Sequence, residues 1–253
     1  MKAYTSNNIR NIAVLGHGGK GKTTLCEAML YIAGASDRLG RVADGNTVLD
    51  FDSEEKRRKS SVSSAIAALE WDNTKLNIID APGLFDFEGG AAEAVRAAEA
   101  VLIVTSAGSG VDVGTEKAFR AAEKKGAAKF FAVTKTDSDH RNFYKTFDAL
   151  KEVYGNKLCP TIIPYMEGNI TKCYVNLMTG MAFSYDENGK ATKVPVPEDS
   201  VIEEMTSAFM EAVATTDDAL MEKFFEGEKF TKEEILKGLC IGIFDGSIYP
   251  VYA

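Results

Sequence analysis

Gly16-His17-Gly18-Gly19-Lys20-Gly21-Lys22-Thr23 matches the pattern G-x-x-x-x-G-K-[ST]. Its surroundings fit as well as its spelling. Residues 11–15 ahead of it form a short apolar run suited to a buried strand, and residues 24–32 behind it read as a helix. Strand, glycine loop and helix in that order is the setting of a phosphate-binding loop. Glycines let successive backbone N–H groups turn inward, and the helix N-terminus adds the positive end of its dipole. The eight residues, with Thr24 after them, are the candidate phosphate contacts. Lys22 would reach the β- and γ-phosphates, and the Thr23 hydroxyl would ligate Mg²⁺. The loop alone does not choose the nucleotide.

Outward from the loop, strands and helices alternate. Residues 35–50, rich in Gly and Asp, read as loop. Residues 53–60 are a dense charge run and read as a solvated face or mobile loop. Strand-like runs at 62–71 and 75–79, separated by Asp72-Asn73-Thr74, predict an antiparallel hairpin. An alanine-rich helix follows over 91–100, then a buried strand over 101–104 and a helix over 113–125 stopped by Gly126. A strand at 129–133 precedes an amphipathic helix at 142–153, which carries Phe143, Phe147, Leu150 and Val153 and is stopped by Gly155. This alternation implies an α/β fold: a mostly parallel central sheet with helices on both faces. Ligands of such sheets sit beyond the carboxyl ends of the strands. Motifs that begin where strands stop are therefore expected to converge on one edge.

Past residue 157 the pattern changes. Residues 171–184 and 191–196 read as short strands, joined partly through the turn Asp186-Glu187-Asn188-Gly189. Helices are expected over 200–225 and 231–243, the second opened by Thr231-Lys232-Glu233-Glu234, a capping box in spelling. Residues 248–252 are again strand-like. The block carries no catalytic-looking cluster and reads as a small α+β insertion.

Two further motifs end strands. In Asp80-Ala81-Pro82-Gly83, Asp80 would hold Mg²⁺ through a water and the Gly83 N–H would meet a γ-phosphate. In Thr134-Lys135-Thr136-Asp137, the Asp137 carboxylate can accept both N1–H and the exocyclic amine of guanine, a pair of donors adenine lacks. The Lys135 stem would lie along the base, with Thr134 beside it. Ser61, just after the charge run, is the candidate to complete the Mg²⁺ shell when a γ-phosphate is present and to release its loop afterwards. Metal ligands are thus expected at Thr23, Ser61 and Asp80. Lys22 and Gly83, both at the γ-phosphate, are the candidate catalytic residues.

Composition sets limits. The 253 residues are 45% hydrophobic, enough for one large domain or a domain with a sizeable insertion. A net charge of −8 argues against broad nucleic-acid coating, and sequence-specific DNA is not expected as a partner. Cys26, Cys159, Cys173 and Cys240 are scattered and read as reduced cytosolic thiols. The N-terminus has no apolar targeting core, and no apolar run approaches a membrane span. A cytoplasmic, monomeric protein without a membrane partner is the expectation.

Taken together, these residues resemble the GTPase domain of elongation factor G and its translocase-like relatives. The similarity rests on Arg10-Asn11-Ile12-Ala13-Val14, His17 followed by Gly21-Lys22-Thr23-Thr24, and Asp44-Gly45 upstream of Asp50. It continues through Asn77-Ile78-Ile79-Asp80-Ala81-Pro82-Gly83 and Asp86-Phe87. The resemblance implies a P-loop GTPase domain over 1–157 and 246–253, an inserted subdomain over 158–245, GTP/GDP with Mg²⁺ as ligands, and the ribosome as partner of a longer factor. On that reading 248–252 is the last strand of the sheet, returning after the insertion. Four departures stand out. The family's His after Asp-x-Pro-Gly, which positions the attacking water, is Leu84; its phosphate-loop Asp is Gly19. Its guanine-motif Asn is Thr134, and Arg-Gly-Ile-Thr becomes Arg58-Lys59-Ser60-Ser61. Leucine cannot hydrogen-bond water, so slow hydrolysis is expected. A nucleotide-dependent regulatory switch with little catalysis is the alternative. A small-molecule kinase would share the phosphate loop but has no use for the motifs ending in Gly83 and Asp137.

Overall fold

A computed structural model describes residues 3–137, 142–168, 170–186 and 189–253. The chain forms two compact units, one running to Thr105 and resuming over Asp112–Lys129, the other taking Ser106–Val111 and Phe130–Ala253.

The first unit runs β1 (Ile9–Leu15), α1 (Lys22–Ile32), α2 (Ser53–Arg58), β2 (Ala65–Trp71), β3 (Thr74–Asp80), α3 (Glu88–Ala97), β4 (Ala100–Ser106) and α4 (Val113–Lys125). Its strands lie in the order β2-β3-β1-β4. β1 pairs in parallel with β3 and β4, and β2 is the antiparallel edge. The inner strands are buried and read as continuous apolar runs: Ala13, Val14, Val101, Ile103 and Val104 are fully buried. The β2–β3 hairpin forms as expected, but its turn is tighter. Thr74 already pairs with Trp71, leaving Asp72 and Asn73 with φ of 43° and 59°. Two left-handed residues make a type I′ turn, whose twist matches that of the strands.

The charge run at 53–60 is mostly solvent-exposed, as expected, but Ser53–Arg58 form a helix rather than a mobile loop. Asp52 caps α2 and forms a capping box with Glu55, Glu54 and Glu55 occupy the first turn, and Lys56, Arg57 and Arg58 the last. Each charge therefore complements the helix dipole. Lys59 ends the helix in the left-handed conformation at φ 53°.

The second unit contains β5 (Ala128–Thr134), α5 (Phe143–Tyr154), β6 (Leu158–Glu167), β7 (Ile170–Asn176), β8 (Met181–Tyr185), β9 (Ala191–Val194), α6 (Ser200–Ala214), α7 (Asp218–Glu226), α8 (Lys232–Asp245) and β10 (Tyr249–Tyr252). Its strand order is β5-β10-β6-β7-β8-β9. β10 does return to the sheet, in parallel between β5 and β6, and the strands beyond β6 are antiparallel. Three elements differ from the sequence expectation. The single strand read over 171–184 is β7 and β8, broken by a turn in which the Asn176 side chain accepts from Thr179 N at 3.0 Å. β6 has no counterpart among the strands expected from sequence. The helix read over 200–225 is α6 and α7, separated where Asp217 caps the latter through Ala219 N. The capping box at Thr231 forms as spelled. Of the turn 186–189, Asp186 accepts from Gly189 N and Lys190 N, while Glu187 and Asn188 lie outside the described residues. Among the described residues, no helix is long and apolar enough to cross a membrane.

Candidate functional site

The first unit builds its site where β1 stops. Gly16 leaves the strand at φ 140°, and a side chain there would put Cβ 2.2 Å from the Val104 carbonyl oxygen. Only glycine lets the loop pass this close to β4. Gly21 caps α1 at φ 90° with no side-chain acceptor, so the first-turn N–H groups keep no side-chain partner at the cap. Lys22 is 6% exposed, and its Nζ donates to the carbonyls of Gly16 and His17, each at 3.0 Å. Burial lowers its pKa, and the nearby Asp80 carboxylate pulls the other way. Thr24 points outward from α1 and Gly19 is exposed, while His17, Gly18, Lys20 and Gly21 are half-buried.

The expected metal ligands meet. The Thr23 hydroxyl donates to Asp80 Oδ2 at 2.6 Å and lies 3.2 Å from Ser61 Oγ. Ser61 in turn donates to Asp50 Oδ1 at 2.7 Å. Residues on α1, the end of β3 and the loop before β2 thus form one chain of hydroxyls and carboxylates. Asp80 Oδ1 and Asp50 Oδ2 are buried without a hydrogen-bond partner among the described residues. A buried carboxylate oxygen left unpaired is costly, and a cation relieves it. Burial pushes the Asp80 pKa up to about 7 against the Thr23 hydrogen bond and Lys22, and burial likewise raises Asp50. No group of three or more His, Cys, Asp or Glu able to hold a metal occurs among the described residues. Two hydroxyls and two carboxylates are instead a partial set of hard oxygen donors, the kind of site that suits Mg²⁺ completed by phosphate and water.

Gly83 sits directly against the phosphate loop. A Cβ on it would lie 2.2 Å from Lys22 Nζ, 2.7 Å from Gly16 O and 2.8 Å from Gly18 N. Next to it Leu84 lies over the loop: a Cβ on Gly18 would come within 3.0 Å of Leu84 Cδ2. Leu84 also lines a cavity of about 570 Å³ bounded by Leu15, Gly16, Phe85, Ala92 and Ala118. The position after Gly83 therefore presents a methyl group to the phosphate loop and an apolar cavity behind it.

Several supports were invisible in the sequence. Asp50 entered only as part of a resemblance. Glu27, fully buried on α1, accepts from the backbone N–H of Val48 and Leu49. Glu55, 1% exposed, accepts from Val62 N, Ser63 N, Ser63 Oγ and Asp52 N. These two carboxylates pin both sides of the segment that carries Asp50 and Ser61. Lys20 pairs with Asp112, the cap of α4, at 3.2 Å. Although burial raises the Asp112 pKa, hydrogen bonds from Thr115 and Lys20 leave it lowered. Glu27 and Lys20 have partners far away in sequence, which no local pattern marks, whereas Glu55 shares a short-range capping box with Asp52.

The second unit holds Thr134, Lys135 and Asp137 where β5 ends. Lys135 is left-handed at φ 59°, and Lys135 and Asp137 are exposed. Between them Thr136 is 6% exposed. The Thr134 carbonyl accepts from Ala107 N at 2.9 Å. Thr136 shares a 2.9 Å hydrogen bond with the Tyr174 hydroxyl, and its carbonyl accepts from Thr171 Oγ1 at 3.0 Å.

Comparison with known proteins identifies the family. The family model described as the elongation factor Tu GTP-binding domain matches residues 7–239. Elongation factor G-like proteins from two Mycobacterium tuberculosis strains, CDC 1551 / Oshkosh and ATCC 25618 / H37Rv, are each 32% identical over 246 residues. That alignment takes in 96% of this chain and 34% of theirs, so the chain spans about a third of the length of these relatives. A crystal structure of a Thermus thermophilus protein superposes with a TM-score of 0.89 at 36% identity, covering 96% of this chain and 37% of that one. The α/β architecture is that of a P-loop GTPase, and the chain belongs to the elongation factor Tu GTP-binding-domain family.

Proposed function

We propose that this GTP-binding domain serves a factor of the elongation factor G type, in which Mg·GTP orders two loops for contact with the ribosome. The observation that carries the reading is the Asp80–Thr23–Ser61–Asp50 chain beside Lys22 and Gly83. Thr23 and Ser61 would ligate Mg²⁺ directly and Asp80 through a water, and Mg²⁺ would neutralise charge between the β- and γ-phosphates. Lys22 would leave the Gly16 and His17 carbonyls for the phosphates. The Gly83 N–H would report the γ-phosphate from one side and Ser61 from the other, so its loss would free both segments. Asp137, with Lys135 and Thr134, would select guanine. Residues 158–245 would be an insertion between the two parts of the GTPase domain at 1–157 and 246–253. Cytoplasmic location and a monomeric state go with this reading.

Hydrolysis would be slow. Phosphoryl transfer depends on positioning and charge stabilisation, and Leu84 offers no hydrogen bond to an attacking water. A missing positioning or acid/base group costs about 10²–10⁴-fold in rate. The same observation favours the second reading, a nucleotide-dependent regulatory switch with little turnover. Two measurements test these readings. Labelled GDP bound to this chain should be displaced by GTP and not by ATP; equal displacement by ATP sinks the guanine assignment. Ribosome-stimulated turnover of the full-length factor should be low and should rise on Leu84→His by about 10²-fold or more. Fast wild-type turnover, or no gain in the variant, rejects the slow-hydrolysis reading.

A further inference from the structure

The guanine motif is held by an element that does not belong to it. Thr134 ends β5 and the other three residues follow it, yet two of the bonds that hold Thr136 come from β7. Lys135 occupies left-handed space, which costs a non-glycine residue free energy and persists only where neighbours enforce it. Thr134 is pinned on one side through its carbonyl. Thr136 is pinned on the other side twice, by the Tyr174 hydroxyl on its side chain and by the Thr171 hydroxyl on its carbonyl. The Tyr174 ring is itself fixed, edge-on to Tyr185 of β8 with centroids 5.8 Å apart, and its backbone pairs with Pro164 and Phe183. A buried Thr136 between exposed Lys135 and Asp137 makes it the fulcrum of the motif: moving it moves both neighbours.

We propose that Tyr174 and Thr171 are positioning residues for base recognition, setting the direction of the Asp137 carboxylate by clamping Thr136 against β7. This rests on the reading that Asp137 takes the guanine edge. Two donors, N1–H and the exocyclic amine, must meet two oxygens of one carboxylate. A small rotation keeps one bond and loses the other. The clamp therefore governs discrimination between bases more than affinity for phosphates, and it makes the β7–β8 hairpin part of the base site.

Inosine diphosphate, which lacks the exocyclic amine, isolates the second bond. Displacement of fluorescent GDP from the 253-residue chain by GDP, inosine diphosphate and ADP gives the specificity ratios. The wild-type chain should prefer GDP over inosine diphosphate by about tenfold or more, the worth of one hydrogen bond to a charged group. Tyr174→Phe keeps the ring and removes only the hydroxyl. It should weaken GDP about three- to tenfold and inosine diphosphate much less, narrowing the ratio. Thr136→Val should do the same, and the double variant should be no worse than either alone, because both remove one shared bond. Thr171→Val, which acts on the carbonyl, should narrow the ratio independently. If Tyr174→Phe weakens both nucleotides equally or leaves the ratio unchanged, or if its effect adds to that of Thr136→Val, the clamp is merely structural and the proposal is overturned while guanine recognition stands. A wild-type chain that binds GDP, inosine diphosphate and ADP alike overturns guanine recognition itself, and the clamp with it.

Discussion

Gly83 shows how much one missing methyl group can decide. Three groups of the phosphate loop crowd the place where its side chain would be, the nearest being the Lys22 ammonium at 2.2 Å. Gly83→Ala must push Lys22 away or tilt the loop. If the Gly83 N–H meets the γ-phosphate, the variant loses an interaction that GDP never makes. GTP affinity should then fall about tenfold or more while GDP affinity falls less, as measured by displacement of a fluorescent nucleotide. Equal losses for both would assign Gly83 to loop shape alone. Leu84, its neighbour, differs in kind: its side chain fills space over Gly18 without a polar atom, so on the slow-hydrolysis reading its replacement should change rate rather than binding.

Among the elements, α2 and the loop behind it are the most informative. A six-residue helix of Ser53–Arg58 has little stability of its own. It forms because Asp52 and Glu55 satisfy its first turn and because Glu55 also gathers the amides of Val62 and Ser63. One carboxylate thus ties a helix start to the turn that delivers Ser61. Glu55→Ala would leave several partly buried donors without this partner, at up to about 1–3 kcal/mol each. Amide hydrogen exchange at Val62 and Ser63 should speed up by about 10²-fold or more, with the strands β1 and β4 unchanged. Protection retained at those amides would show that something other than Glu55 holds the loop. The exposed pairs of Glu54 with Arg57 and Arg58 are expected to matter little by comparison.

For the protein as a unit, ligand linkage is the measurable property. A ligand that binds only the folded state at about 100 times its Kd stabilises by about 2.7 kcal/mol. A chain of this length gains about 2–4 °C per kcal/mol. GDP with Mg²⁺ should therefore raise the thermal midpoint by about 5–10 °C, and ADP with Mg²⁺ should not; equal shifts would contradict guanine selectivity. Much of the fold behind this was legible locally. The loop, Asp80, Gly83 and the caps at Gly126, Gly155 and Thr231 declare themselves within a few residues of chain. What stayed hidden is written across distance. Asp50 reaches Ser61 around a helix, Glu27 reaches Val48, and Tyr174 reaches Thr136, with no pattern linking the partners in sequence. β6 was hidden for a different reason: Pro160 and Pro164 argue against an inner strand, yet it pairs on both sides through an irregular register. The break between α6 and α7 hides because a single Asp217 cap interrupts an otherwise continuous helical composition.

The placement of β10 carries a consequence for how the chain reaches this state. Val251 pairs with Phe131 on one side and Pro160 on the other, so the four-residue strand joins segments made much earlier in synthesis. Parallel pairings of such sequence separation must meet the cost of closing a long loop before they return any contact, and they form late. The second unit therefore cannot finish its sheet while the ribosome is still adding α8, and the facing edges of β5 and β6 gain their native partner only when β10 arrives. Assembly of this unit is thus timed by the emergence of its own closing strand.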